Sequence, residues 1–190
     1  MNIMYLHGFA SAFDIENDKV RYLLQKGRLT PVHYNSCADY TTNIDTLINK
    51  VIDNDIDLLI GCSLGGFYAL EIASVLKKVF AVALNPAYKP HLGLQKYVGK
   101  NTNFKTGDIE TLTSKVVASY PQNGVACPKN GLVLIEKGDE VINWDESRAY
   151  FSKHDTTQFG TFNGGNHRFS SLPQRWSLIE TLYNEYKRQL

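Results

Sequence analysis

Residues 57–70 read DLLIGCSLGGFYAL, and the change of character along this stretch decides the fold. It begins as an apolar run, DLLIG, of the length of a buried strand. It then breaks into glycines around one serine, Ser63, and resumes with FYAL as the start of an apolar helix. The rest of the chain repeats this alternation of strand and helix. NIMYL at 2–6, TPVHY at 30–34, VFAVALN at 79–85, GLVLIEK at 131–137 and DTTQFGTF at 155–162 are further strand candidates, several of them apolar on both faces. Central parallel strands, covered on both sides, have that composition. Between strands, Ile44, Leu47, Ile48, Val51 and Ile52 recur at helical spacing behind the capping candidates Thr41 and Thr42. Trp176, Ile179, Tyr183 and Tyr186 do the same at the end of the chain, where Pro173 suits a first helical turn. The pattern is that of βαβ units in an α/β fold, with a mainly parallel sheet of about six strands and helices on both faces.

Residues 88–130 break the rhythm. Connections of that length are uncommon unless functional, so one or two short helices are expected there, over the carboxyl ends of the strands where open α/β sheets bind ligands. This is a cap-like insertion within a single domain spanning 1–190.

The bulk composition fits that picture and excludes others. The 190 residues carry 20 basic and 19 acidic side chains, for a formal net charge of +1, and are 43% hydrophobic. Nothing in this balance points to nucleic acid or to a membrane surface. The amino-terminal MNIMYLHGFA has neither a basic lead nor a signal-length apolar run, so a soluble, cytoplasmic protein is expected. Cys37, Cys62 and Cys127 are widely separated and form no CxxC pair, which reads as reduced, structural cysteine.

Gly61, Ser63 and Gly65 spell GxSxG directly after a strand and directly before a helix, the context of a nucleophile elbow. A serine held in a tight turn exposes its hydroxyl when its neighbours two positions away are nearly bare, which favours glycine. The helix that follows points its amino end at the site, so the Leu64 amide can donate to an oxyanion. A hydroxyl at neutral pH needs a base, and the base an orienting acid, in the order Ser, Asp, His. Asp139 follows the strand GLVLIEK, and His167 stands in NGGNHRF after the last strand, behind Gly164 and Gly165. Glu140 and Asp145 compete with Asp139 for the acid's place, although Asn143 and Glu146 are spaced as a capping box that puts Asp145 in a helix's first turn. His33 at a strand end, His91 in the insertion and His154 after a helix fit an active base less well. Upstream, YLHGFASA places a glycine after the first strand, so that the Phe9 amide can share the oxyanion while His7 braces the loop.

Taken together and in order, YLHGFASA, GCSLGGFYA, NPA, GDEV and GGNHRF resemble the small bacterial esterases of the YqiA-like family in the α/β-hydrolase superfamily, nearly end to end. The resemblance implies Ser63 as nucleophile, Asp139 as acid, His167 as base, and the Phe9 and Leu64 amides as the oxyanion hole. It also implies a minimal three-layer fold lacking the two leading strands of larger members. The expected chemistry is hydrolysis of carboxylic esters of small or short-chain acyl groups through an acyl-enzyme, with no metal or organic cofactor. A thioesterase uses the same residues, and a binding module can keep the fold without the chemistry. A dinucleotide site fits poorly, since GCSLGG is neither GxGxxG nor a phosphate loop. Phe67, Tyr68 and the loop YNSCADY at 34–40 are possible pocket residues, with core packing the simpler reading of the two aromatics. Lys89, Lys96, Lys100 and Lys105, without an acidic residue among them, read either as a solvated face or as an attractor for an anionic substrate.

Overall fold

The computed structural model describes residues 1–154 and 157–190. In chain order it contains β1 (Asn2–Leu6), α1 (Asp18–Leu23), β2 (Arg28–Thr30), α2 (Tyr40–Asp53), β3 (Leu58–Cys62), α3 (Leu64–Val75), β4 (Phe80–Leu84), α4 (Pro90–Gly93), β5 (Gly99–Thr102), β6 (Ile109–Leu112), α5 (Ser114–Ala118), β7 (Gly131–Glu136), α6 (Trp144–Phe151), β8 (Gln158–Phe162) and α7 (Leu172–Lys187). Six strands form one sheet in the order β2-β1-β3-β4-β7-β8, and every neighbouring pair is parallel.

Alternation along the strands divides the core into two layers of side chains. Met4, Leu6, Leu59, Ala81, Ala83, Val133 and Ile135 face α2 and α3. Ile3, Tyr5, Leu58, Ile60, Val82, Leu84, Leu132 and Leu134 face α1 and α7, where Val20, Leu23, Trp176, Ile179 and Tyr183 are buried. Each such fully buried Leu or Ile contributes about 1.5–3 kcal/mol relative to exposure. Among the described residues, no helix is long and apolar enough to cross a membrane.

The strand order places a topological switch between β1 and β3. From β1 the chain turns to the edge strand β2 by way of α1 on one face; from β3 it leaves by α3 on the other. The carboxyl ends of β1 and β3 therefore open a crevice, the position at which α/β sheets bind ligands.

Several local expectations are corrected. The strand expected at 30–34 is β2, which stops at Thr30, because Pro31 has no N–H for the ladder and the edge pairing ends there; His33 accordingly lies in a loop. Helix α2 is capped by Asp39, whose carboxylate accepts from the Thr42 N–H (3.0 Å), rather than by either threonine. Ile52 is exposed. Of the strand expected at 155–162, residues 158–162 form β8, and Asp155 and Thr156 lie outside the described residues. Residues 88–130 hold the short helices α4 and α5 and, beyond expectation, the antiparallel hairpin β5–β6. Leu94, Leu112, Val117, Tyr120 and Val125 from this stretch pack with α3 residues Phe67 and Tyr68, which are fully buried core rather than pocket wall.

Candidate active site

Ser63 sits between β3 and α3 with φ 56° and ψ −119°, backbone angles that L-residues adopt at a cost. Its N–H donates to the Leu84 carbonyl (3.0 Å), and its own carbonyl accepts from Phe67 and Ala87. These bonds hold the turn in place. The two motif glycines serve backbone packing rather than exposure of the hydroxyl. A Cβ on Gly61 would lie 2.6 Å from the Gly66 nitrogen, and one on Gly65 would lie 2.6 Å from the His7 carbonyl oxygen of the neighbouring β1 loop. Strand, turn and helix close upon each other only without those side chains.

The β1 loop meets the elbow at Gly8, where an added Cβ would be 3.5 Å from Ser63 Cβ. Beyond it, the Ala10 N–H donates to Ser36 Oγ (2.9 Å), while the Phe9 N–H has no acceptor among the described residues. The Leu64 N–H, first in its helix, is unpaired as well. Two unpaired amides thus lie at the elbow and on the loop that meets it. His7 braces this loop: its ring stacks on Tyr34 (centroids 4.1 Å), Nδ1 lies 2.9 Å from the Gly8 carbonyl, and Tyr34 Oη donates to the His7 carbonyl. Burial lowers the His7 pKa, against a smaller opposing effect of the Gly8 and Tyr34 bonds. A neutral ring that donates Nδ1–H to a carbonyl suits a brace, not a base.

His167 and Asp139 are brought together. His167 Nδ1 lies 2.8 Å from Asp139 Oδ2 and 2.9 Å from Oδ1, with the Asp139 side chain only 2% exposed. A carboxylate only accepts, so Nδ1 carries the proton and Nε2 presents its lone pair. Asp139 is itself oriented by the Val141 and Ile142 N–H groups, both 2.8 Å from Oδ1. The rivals separate cleanly. Glu140 accepts the backbone N–H of His167 (2.9 Å) instead of touching its ring, and that bond holds the Glu140 carboxyl below its ordinary range. Asp145 is in the first turn of α6, where Asn143 accepts from the Asp145 and Glu146 N–H groups, and it pairs with Arg148 (2.9 Å). Among the described residues His33, His91 and His154 make no hydrogen bond or ion pair with Asp139. His167 and Ser63 share the carboxyl edge of the sheet without a hydrogen bond between their side chains among the described residues; Cys62 Sγ is 3.6 Å from the His167 carbonyl.

A cleft of about 410 Å3 opens beside the β1 loop, lined by His7, His33, Tyr34, Asn103, Asp108 and Glu110 among others. The tip of the β5–β6 hairpin forms its far wall and is tied to the β1 loop: the Phe104 N–H donates to the Ala10 carbonyl (2.7 Å), Asn103 Nδ2 to the Ser11 carbonyl (3.2 Å), and Lys105 pairs with Asp14 (2.7 Å). Lys89 and Lys96 rest over the Tyr150 and Tyr97 rings, so three of the four lysines of this stretch are engaged locally. Burial pushes the thiols of Cys37 and Cys62 up to about 11, keeping them protonated bystanders.

Residues 2–183 match the family described as Uncharacterised protein family (UPF0227). Among solved structures, the chain is similar to a monoacylglycerol lipase of Paleococcus ferrophilus (15% identity, 96% of this chain and 94% of that one, TM-score 0.66). It is also similar to Est1E from Butyrivibrio proteoclasticus (15%, 99% and 87%, TM-score 0.66). A third is the Pyrococcus furiosus esterase Pf2001 (18%, 97% and 80%, TM-score 0.64). At these identities the likeness establishes the α/β-hydrolase fold.

Proposed function

This chain belongs to the family UPF0227, the YqiA-like family, and from that membership and the geometry of its site we propose that it is a serine hydrolase of carboxylic esters with small or short acyl groups. The observation that carries the reading is the His167–Asp139 pair, with the Asp139 carboxylate buried, at the sheet edge where Ser63 is held in its strained turn.

Each group has a defined task. With Nδ1–H held by Asp139, His167 Nε2 takes the Ser63 proton as Oγ attacks the ester carbonyl. The Ser63–His167 hydrogen bond belongs to the substrate complex, since such bonds are commonly long without ligand. The Phe9 and Leu64 amides stabilise the tetrahedral oxyanion, a contribution of about 3 kcal/mol per donor in comparable sites. His167 then protonates the departing alcohol, leaving the acyl group on Ser63. It next takes a proton from water as that water attacks the acyl-enzyme, and returns it to Oγ. No step requires a metal or an organic cofactor.

The cleft beside the β1 loop, of a size within the usual range for small ligands, is lined by His7 and Tyr34 rather than by Ser63 or His167, and in this reading takes the part of the substrate remote from the scissile bond. Asp108 and Glu110 in its wall, with Lys105 already paired to Asp14, favour a neutral or hydroxyl-bearing ester over an anionic one. Residues 88–130 act in this reading as the cap over the site. A panel of acetyl, butyryl and longer esters, and the matching thioesters, tests it with neutral and anionic leaving groups compared at low and high salt. Turnover of short neutral esters with a salt-independent KM supports the reading; no turnover of any member overturns it.

A further inference from the structure

The NPA segment at 85–87 has no part in the mechanism above, yet it touches both halves of the site. Ala87 donates its N–H to the Ser63 carbonyl (3.0 Å), and the preceding Leu84 accepts the Ser63 N–H (3.0 Å). Asn85, in the left-handed region at φ 43° and 2% exposed, turns its side chain the other way. Its Oδ1 accepts the Glu136 N–H at the end of β7 (2.8 Å), and its Nδ2 donates to the carbonyls of Asn166 (2.9 Å) and His167 (3.5 Å). One side chain therefore links the strand beside the nucleophile to the backbone of the base.

We infer that Asn85 is a positioning residue that sets the loop carrying His167 in register with Ser63. Its partners constrain the choice of side chain. The Glu136 N–H can only donate and the two carbonyls can only accept, so the amide has one orientation, and a carboxylate of the same size, which only accepts while ionised, does not replace it. The loop has other anchors, in the Glu140 bond to the His167 N–H (2.9 Å) and in the buried Phe169, but these hold an N–H and the far end of the loop rather than the Asn166 carbonyl. Glu136 Oε2 accepts the Asn166 N–H (2.9 Å), and Gly165, at φ 78°, has no room for a side chain against that same carboxylate. Without the Asn85 donor the Asn166 carbonyl loses its tie to the sheet and the His167 carbonyl keeps only the long Cys62 Sγ contact (3.6 Å), and the ring shifts relative to Oγ. A displacement of about 1 Å at a reacting group costs on the order of a hundredfold in rate.

This inference rests on the serine-hydrolase reading, and its test separates the two. Asn85→Asp keeps the volume and the acceptor for Glu136 but turns an oxygen toward two carbonyl oxygens. In folded protein we expect kcat to fall about a hundredfold with KM little changed. Labelling of Ser63 by a fluorophosphonate should slow in parallel, and the downfield proton resonance of the His167 ring N–H on Asp139 should broaden or move. Asn85→Asp with kcat and labelling rate within twofold of the parent overturns the inference. A parent protein that takes no label overturns the hydrolase reading and this inference with it. Should Asn85→Asp fail to fold, Asn85→Ala removes the donor without adding charge. The unaltered protein gives an independent reading by NMR: the Asn85 side-chain amide protons must exchange slowly and show cross-peaks to Asn166 and His167. Fast exchange without those cross-peaks refutes the link.

Discussion

Replacing Ser63 by glycine should make the protein more stable while abolishing its activity. At φ 56° and ψ −119° an L-residue is held in a sparsely populated region, at a cost of about 1–3 kcal/mol, which glycine does not incur. Glycine brings its own penalty of about 0.5–1 kcal/mol through the freedom it gives the unfolded chain. The Ser63 side chain caps nothing and makes no hydrogen bond among the described residues, so no hydrogen bond is lost. The balance favours the glycine variant by about 1 kcal/mol, or about 2–4 °C in Tm for a chain of this size. Ser63→Ala is the control, because it removes the same hydroxyl and keeps the strain. Urea titration of the three proteins, with ester hydrolysis in parallel, should give Ser63→Ala equal in stability to the parent and Ser63→Gly above both. Both variants should lose on the order of 10^6 in kcat, as expected where nucleophile and base act as a unit. A Ser63→Gly protein less stable than Ser63→Ala would refute strain stored at the elbow.

Other consequences follow from the base and from the loop beneath it. Asp139→Asn should lower kcat about 10^4-fold by releasing the Nδ1–H tautomer. Glu140→Gln, which keeps an oxygen for the His167 N–H, should cost about tenfold or less, the scale of one hydrogen bond; steady-state kinetics on both variants decides which carboxylate serves the ring. The folded-state pKa of His7 is lowered below 6.5, chiefly by burial, so the unfolded chain binds the proton more readily. The stability this group contributes is complete above about pH 6.5 and is lost as pH falls toward the folded-state value. Denaturant titrations should therefore show a steeper loss between neutral and mildly acidic pH for the parent than for His7→Gln, and parallel curves would contradict it.

Much of the site was legible because the chemistry is local. Gly61 and Gly65 occur where backbones touch, and Ser63 lies between them, so five residues encode a contact among β1, β3 and α3. Asp139 follows the apolar run of β7, while His167 follows β8, QFGTF, marked by its two phenylalanines and the glycines after it. The rest was hidden for identifiable reasons. The strands of the β5–β6 hairpin, GKNT and IETL, are mostly polar and bury Leu112 alone, so no apolar alternation marks them. The start of α2 was misplaced because the capping residue is Asp39, two positions before the threonines that look the part. Asn85 gave no signal beyond an NPA triplet, since its importance lies in carbonyls 81 and 82 residues away.

The central claim is that Ser63 is an activated nucleophile. Treating the protein with a fluorophosphonate and mapping the modified peptide by mass tests it most directly. One adduct on Ser63, formed rapidly in the parent and lost in His167→Ala, is the predicted result. No adduct, or an adduct that forms equally fast without His167, would contradict it.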